Sequence, residues 1–287
     1  MLTRFAPSPT GELHLGHAYS AVLAHAAARE AGGQFRIRID DIDGSRSREA
    51  YVAASLADVA WLGIDWEGDP VRQSTHLGRY AAALDDLRAQ GLVYPCFCTR
   101  ADIAESLTAP HGPPKASVAA IYPGTCRSLP AAERERRLAG EPHSWRLDMA
   151  RAVALAGDLD WEEQGQGMRA ADPAAHGDVV LARKDAPASY HIASTLDDAA
   201  MGVTHVIRGA DLIASTDVHR LLQALLGLPT PLYRHHGLVC GADGKRLAKR
   251  DAAASLAALR EAGIDGPALA ADLLRDRLPA GYSLQNP

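Results

Sequence analysis

The order of patterns in the first forty residues constrains the fold more than any other feature. An extended run at 4–6 stops before two prolines, and an alanine-rich segment at 16–30 predicts a helix that ends at a Gly-Gly pair. Residues 34–39 alternate apolar and polar side chains, which is the period of a strand. Strand, turn, helix and strand in this order predict a βαβ unit, and therefore a parallel sheet with a right-handed crossover.

The rest of the chain continues this alternation, with one interruption. Helical patterns cover 47–62 and 77–90, sheet patterns return at 178–182 and 203–207, and an Ala/Leu-rich helical tail covers 252–278. The interruption holds three of the four cysteines and a proline-rich loop, so it is interpreted as an insert. We predict an α/β fold in four parts: a first half at 1–93, the insert at 94–172, a second half at 173–230, and a basic loop with the helical tail at 231–287.

Composition excludes few functions. The length of 287 residues allows one large domain with an insert, or two domains. A net charge of −5 gives no sign of a nucleic-acid binder, although a local basic patch would escape this average. The chain has neither an apolar run that could cross a bilayer nor a basic-then-apolar start typical of a secretory signal. We therefore expect a cytoplasmic protein with no membrane partner.

The turn between the first strand and the first helix carries the first candidate site, His14-Leu15-Gly16-His17. A helix N-terminus offers free N–H groups and a partial positive charge to a phosphate. Gly16 allows a close approach to the backbone, and either histidine can donate a hydrogen bond as charge develops during transfer. Four residues alone are as consistent with polar positions that have no role.

The longer context resembles a known family. Residues 4–18, RFAPSPTGELHLGHA, resemble the opening of glutamyl-tRNA synthetases, which are class I aminoacyl-tRNA synthetases. In that family the first strand leads into a "HIGH" signature, here HLGH. The resemblance implies a Rossmann-like fold that binds ATP, with Mg²⁺, at this turn. It also implies that His14, Gly16 and His17 contact ATP and that the two histidines assist catalysis.

A second basic segment lies late in the chain, in the sequence GKRLAKR at 244–250. Clustered cations repel one another unless an anion lies between them, and a triphosphate is a suitable anion; a solvated surface loop is the alternative. The segment resembles the "KMSKS" loop of the same family, with Arg246 and Ala248 departing from that pattern. The resemblance implies that Arg246 and Lys249 contact ATP and that Lys249 stabilises the leaving pyrophosphate.

A pocket for glutamate needs guanidinium groups for the side-chain carboxylate and an anion for the α-ammonium group. The resemblance supplies Arg4 and Ser8 from the opening motif, Arg208 from a motif that separates glutamate enzymes from glutamine enzymes, and Tyr190 from a Y-x-x-A…DD stretch. Asp40 stands where glutamyl enzymes usually carry Glu, and an aspartate can still hold the ammonium group. In isolation, an acidic turn is the better interpretation of Asp40, and a surface charge at a strand end is the better interpretation of Arg208.

The cysteines form the last candidate site. Cys96-x-Cys98 with Cys126 offers three thiolates, and a structural zinc site needs four ligands, which leaves three buried thiols as the alternative. The resemblance to a truncated glutamyl-synthetase relative implies Tyr122 as the fourth ligand, in IYPGTC. Zinc would have to depress the tyrosine pKa from its ordinary value of about 10.

Full glutamyl-tRNA synthetases continue beyond the late basic loop with a helical domain that reads the anticodon, and we expect no such domain here because few residues follow that loop. A chain of this kind resembles the family of the glutamyl-queuosine tRNA(Asp) synthetases. The resemblance implies activation of L-glutamate with ATP and transfer to queuosine at the wobble position, with the tRNA(Asp) anticodon loop as partner and a monomer as the working form. Three alternatives stay open: a truncated enzyme charging tRNA(Glu), a non-catalytic tRNA-binding relative, and an adenylating enzyme for another small acid.

Overall fold

The computed structural model describes residues 1–99, 101–103, 121–242, 244, 247 and 255–285. Within that part of the chain, no helix is both long and apolar enough to span a membrane. The fold is α/β, with parallel strands flanked by helices, a small antiparallel sheet near the cysteines and a helical tail.

The predicted βαβ unit is present at the N-terminus. Strand β1 (Leu2–Phe5) leads through the turn to helix α1 (Leu15–Glu30), and β2 (Gln34–Ile39) returns parallel to β1. Gly33 is required at this return, because a Cβ atom there would lie only 2.1 Å from the Met1 carbonyl oxygen. The helix buries many small alanines, so it packs closely on the sheet.

The first parallel sheet continues with β3 (Val71–Arg72), which pairs with β2 in the order β1-β2-β3. Helix α2 (Glu49–Trp61) connects these two strands, and α3 (Leu77–Ala89) follows β3. Both helices agree with the helical patterns of the sequence to within a few residues, because their apolar positions recur at the helical period.

The second half adds further parallel strands. Strands β9 (His205–Gly209) and β10 (Leu232–His236) pair in parallel, and helix α7 (Ile213–Leu225) connects them. Strand β9 begins two residues later than the sequence pattern predicts, because the Val203 N–H bonds back to the Asp198 carbonyl at the end of helix α6 (Tyr190–Ala200). Arg208 therefore lies inside a strand and is buried.

Strand β1 lies beside β9, and the Thr204 amide donates to the Leu2 carbonyl at 3.0 Å. The two parallel groups of strands therefore meet in the middle of the molecule. Strand β6 (Asp160–Glu163) pairs in parallel with β10 and forms a hairpin with β7 (Gly167–Ala170), which gives the order β7-β6-β10-β9.

The region with the cysteines forms its own antiparallel sheet. Strands β4 (Val93–Cys96), β5 (Ser144–Leu147) and β8 (Val180–Ala182) pair in the order β4-β5-β8. The sheet pattern predicted at 178–182 therefore belongs to this sheet and not to the parallel one. Helices α4 (Ala131–Leu138) and α5 (Met149–Ala156) flank β5 in sequence. The four-part division of the chain stays a prediction, since strand pairing crosses the boundary at residue 172.

The tail is helical only in part. Strand β11 (Leu238–Cys240) pairs with β12 (Ser283–Gln285), and two short helices lie between them, α8 (Leu256–Glu261) and α9 (Gly266–Leu273). Leu256, Leu269 and Leu273 are buried in the same core as α1 and β2, so the tail packs against the N-terminal unit. The break between the helices follows from Gly263 and the Asp265 N-cap.

Candidate active site

A cavity of about 420 Å³ lies where several parallel strands end and α1 begins. Ligands of open α/β sheets bind at the carboxyl ends of the strands, because loops and helix N-termini converge there. Strands β1, β2, β9 and β10 each contribute a lining residue from their last positions or from the position that follows. Eight residues that the sequence predicts for the site line this cavity: Arg4, Ser8, His14, Gly16, His17, Asp40, Tyr190 and Arg208.

The two histidines of the turn cap α1 reciprocally. The Gly16 N–H donates to His14 Nδ1 at 3.2 Å, and the His14 N–H donates to His17 Nδ1 at 3.1 Å. A neutral imidazole whose Nδ1 accepts must carry its proton on Nε2, so each ring offers an N–H donor from its other nitrogen. A Cβ at Gly16 would lie 3.2 Å from the His14 ring, so this glycine makes room for the cap.

The first charged cluster is a buried network of two arginines and two aspartates. Arg4 donates from Nε and Nη2 to the two carboxylate oxygens of Asp198, at 2.9 and 3.2 Å. Arg38, which is fully buried, donates to Asp40 at 2.7 Å and to Asp198 at 2.5 Å. Burial raises the pKa of the Asp198 carboxyl, but the charges of Arg4 and Arg38 outweigh burial and hold the pKa below its usual value. The network fixes Arg4 at the cavity wall.

Asp40 has a different balance within this network. Burial raises the pKa of its carboxyl above the usual value, even though Arg38 acts in the opposite direction. Asp40 also lines the cavity. A further cation on its cavity side would therefore favour the ionised form, and an α-ammonium group has the right charge.

Arg208 is the second charged centre, and its surroundings are neutral. All five of its N–H groups have an acceptor: Nε donates to His235 Nε2, and the Nη atoms donate to the Tyr190 hydroxyl, His219 Nδ1, the Leu212 carbonyl and the Thr216 hydroxyl. In the part of the chain that the structure describes, no carboxylate forms an ion pair with Arg208. Only 5% of Arg208 is exposed. A guanidinium buried in this way favours an anionic ligand.

Two histidines beside Arg208 are held neutral. Burial, followed by the charge of Arg208, lowers the pKa of His219 well below its usual value. The same causes lower the pKa of His235 to about 4, although Glu163 acts in the opposite direction. Each neutral ring can therefore present a nitrogen lone pair to the guanidinium.

Sequence reasoning missed several members of these clusters. Arg38 and Glu163 are fully buried charges on strands, yet their sequence positions look like the polar face of a strand. His219 and His235 belong to none of the motifs found in the sequence. The one sequence signal was the charge alternation in β2, since Arg38 lies two residues before Asp40.

The cysteine group has the geometry of a metal site. The sulfur atoms of Cys96, Cys98 and Cys126 lie within 4.8 Å of one another. Cys98 Sγ is 3.5 Å from Cys126 Sγ and 3.5 Å from the Tyr122 hydroxyl. Sulfurs bound to one tetrahedral zinc at about 2.3 Å would lie about 3.8 Å apart, so the donor set fits a single ion. Cys240, in β11, is not a member of this group.

The charged residues of the basic loop fall outside the described residues. Arg246 and Lys249, which the sequence predicts at the triphosphate, therefore stay predictions. Leu247 from the same loop is described, is buried and lines the cavity.

A parallel α/β sheet with histidines at a helix N-terminus and charges of both signs in one cavity is the arrangement of a nucleotide-binding enzyme that activates a charged small molecule. The family model described as tRNA synthetases class I (E and Q), catalytic domain, matches residues 1–277. The chain belongs to this family.

Similar proteins agree with this assignment. The chain is 48% identical over 271 residues to a glutamyl-Q tRNA(Asp) synthetase of Rhodobacter capsulatus, covering 92% of this chain and 96% of that protein. It is 45% identical to the protein of the same name from Nocardia farcinica, of which it covers 84%. A crystal structure of a glutamate-tRNA synthetase from Elizabethkingia anophelis matches with a TM-score of 0.74 and 28% identity over 88% of this chain. The chain covers 53% of that structure, about half its length.

Proposed function

We propose that this protein activates L-glutamate with ATP and transfers the glutamyl group to queuosine at the wobble position of tRNA(Asp). The two relatives named glutamyl-Q tRNA(Asp) synthetase match over 96% and 84% of their length, which supports the choice among class I enzymes. The observation that carries the amino-acid assignment is the buried Arg208, whose described partners are all neutral.

The two charged centres suit the two ends of glutamate. Arg208 at one side of the cavity would bind the side-chain carboxylate, which would replace the Tyr190 hydroxyl as the acceptor of Nη1. Asp40 would hold the α-ammonium group. Arg4 uses Nε and Nη2 for Asp198, which leaves Nη1 for the ligand, and Ser8 lines the same wall. Binding both ends would orient the α-carboxylate toward the α1 turn.

The activation step follows from this orientation. The glutamate α-carboxylate attacks the α-phosphorus of ATP in line, and the bond to pyrophosphate breaks. His14 and His17 would donate from Nε2 to the phosphate oxygens, and the partial positive charge at the N-terminus of α1 adds to this stabilisation. We assign Arg246 and Lys249 to the triphosphate, with Mg²⁺ accompanying ATP. The protein acts by position and charge, as is usual for such transfers.

Transfer of labelled glutamate to two RNAs, with ATP and Mg²⁺, tests the proposal. We expect label on queuosine-containing tRNA(Asp), and none when the wobble base is unmodified guanosine. Label on tRNA(Glu) instead would favour a compact charging enzyme. Label on neither RNA, without pyrophosphate exchange, would favour a non-catalytic relative.

We also propose that Cys96, Cys98, Cys126 and Tyr122 hold one structural zinc ion. The sulfur spacing supports a single ion, and its role would be to fix the β4–β5 region. Elemental analysis of freshly purified protein should give one zinc per chain. Cys98→Ser should lose the metal, whereas Cys240→Ser, a matched loss of a thiol in β11, should retain it. Absence of zinc from the unaltered protein would contradict this assignment.

We further propose a cytoplasmic monomer. A tRNA substrate, which the family membership supports, favours this location, and the monomer is carried over from the family resemblance. Sedimentation of the purified protein with and without tRNA would test it.

A further inference from the structure

We propose that Glu163 is a positioning residue of the glutamate pocket, which acts by fixing the tautomer of His235 and through it the guanidinium of Arg208. The inference rests on the proposed function for its kinetic consequences only, since the tautomer itself can be measured without any substrate. Glu163 lies on β6, outside the cavity lining, and no sequence motif marks it.

The carboxylate of Glu163 binds His235 at two points. One oxygen, Oε1, accepts the backbone N–H of His235 at 2.6 Å, and the other, Oε2, lies 2.6 Å from His235 Nδ1. Both side chains are buried, with 2% or less of either exposed. The parallel pairing of β6 with β10, where Glu163 stands opposite Tyr233, brings the two residues together.

These contacts determine which ring nitrogen carries the proton. A carboxylate only accepts, so Nδ1 must be the donor toward Oε2. His235 is neutral, and its lone pair is therefore on Nε2. That atom lies 3.2 Å from Arg208 Nε and 3.2 Å from the Thr216 hydroxyl, and both of these groups can donate to it. The chain of bonds runs from Glu163 through His235 to Arg208 without a donor facing a donor.

The arrangement also explains how a buried guanidinium can have only neutral acceptors, which a substrate carboxylate could replace. The negative charge of Glu163 is separated from Arg208 by a neutral imidazole ring. It can offset part of the cost of burying the positive charge without occupying the N–H groups that face Tyr190 and the cavity. A carboxylate in direct contact would compete with the substrate carboxylate for the same donors.

The substitution Glu163→Gln would change these hydrogen-bond roles while keeping the shape of the side chain. The backbone N–H of His235 needs an acceptor, so it takes the amide oxygen. The amide NH₂ then faces Nδ1, and a donor there forces the proton of the ring onto Nε2. The Nε2–H group would oppose the Nε–H group of Arg208, and the guanidinium would have to turn. Replacing the carboxylate of a catalytic triad with an amide acts through the same change of tautomer.

The test compares Glu163→Gln with Glu162→Gln. Glu162 is the next residue on the same strand, carries the same charge and is exposed, so it is a matched control. We expect Glu163→Gln to raise KM for glutamate about tenfold or more, with KM for ATP unchanged. Glu162→Gln should leave both constants unchanged. Equal KM values for glutamate in the two variants, or an equal rise in KM for ATP, would overturn the proposal.

Nitrogen-15 NMR of histidine-labelled protein gives a direct reading of the tautomer. We expect His235 to be protonated at Nδ1 in the unaltered protein and at Nε2 in Glu163→Gln, with the signal assigned through loss in His235→Phe. An Nε2–H tautomer in the unaltered protein would overturn the proposal, even if Glu163→Gln fails to fold.

A double-mutant comparison separates positioning from a general loss of structure. In an Arg208→Lys background the Nε–H group is gone, so Glu163→Gln should add no further rise in KM for glutamate. An undiminished additional rise would contradict action through Arg208. If the unaltered protein shows the expected tautomer but activates another acid, the proposed function fails while the positioning role stands for that acid.

Discussion

Arg38 and Arg208 are both almost fully buried, and they differ in what surrounds them. Arg38 contacts two carboxylates, Asp40 and Asp198. Arg208 contacts two imidazoles, two hydroxyls and a carbonyl oxygen, all of them neutral. Removing a charge from water costs several kcal/mol, which a direct counter-ion recovers in part. The first arginine is therefore compensated within the protein, and the second is best compensated by a ligand.

The comparison separates two uses of the same side chain. Arg38 joins β2 to α6 through Asp198 and so supports the cavity. Arg208 presents charge to the cavity, and its most exposed partner is Tyr190, at 38%. Substitutions at the two positions should therefore affect different measurements.

The largest expected effect is on activity at Arg208. Arg208→Met keeps the volume but removes the charge and all five donors. We expect glutamate-dependent pyrophosphate exchange to fall by about 100-fold or more, because a buried charge pair with the substrate is lost. The affinity for ATP, measured by titration calorimetry, should be unchanged. Activity close to that of the unaltered protein would remove Arg208 from the pocket.

The next effect concerns stability, and here the substitution of Arg38 should matter more than that of Arg208. Arg38→Met leaves Asp40 without an arginine partner and should lower the free energy of unfolding by about 3–5 kcal/mol. Arg208→Met should destabilise less than Arg38→Met, because the charge that it removes has no direct counter-ion, although its neutral acceptors lose their donor. Urea unfolding of both variants measures the difference. Equal destabilisation by the two substitutions would mean that both arginines have a structural role.

A smaller effect is expected on the stability of the protein at acidic pH. The pKa of Asp198 is lowered in the folded protein, so its contribution to stability is complete above the ordinary aspartate value of about 4. The contribution is lost as the pH falls through the lower folded value. The stability gap between the unaltered protein and Asp198→Asn should therefore be constant at neutral pH and close below pH about 4. A gap that widens in acid would contradict the ion pairs with Arg4 and Arg38.

The smallest effect is expected at Tyr190. Tyr190→Phe removes one neutral acceptor of Arg208 and should raise KM for glutamate about three- to tenfold. Stability should change by less than about 1 kcal/mol, since the side chain is partly exposed. A loss as large as that of Arg208→Met would show that the hydroxyl, and not the charge, binds the substrate.

Much of the fold follows from the sequence because its signals are local. The helix and strand periods of the first unit predict α1 and β2 nearly to the residue. The sheet to which 178–182 belongs was not predictable in this way, since β8 pairs with β5 and β5 with β4, each across a long stretch of chain. The tail was predicted as one helical region, and capping at Asp265 divides it.

The candidate site shows the same difference between local and long-range signals. His14, Gly16 and His17 stand in one turn, so a contiguous motif predicts them. Neither the network around Arg38 nor the link from Glu163 to His235 is contiguous. The first joins β1 and β2 to Asp198 on helix α6, and the second depends on the pairing of β6 with β10. Local pattern therefore predicts which groups line the cavity better than it predicts which groups hold them in place.

The most direct test of the central claim is pyrophosphate exchange with glutamate, glutamine and aspartate, with and without tRNA(Asp). If Arg208 and Asp40 bind the two ends of the substrate, glutamate should support exchange. Glutamine should fail because it lacks the charge, and aspartate because it lacks the length. Exchange with glutamine as fast as with glutamate would contradict the assignment of the buried Arg208 charge to a substrate carboxylate.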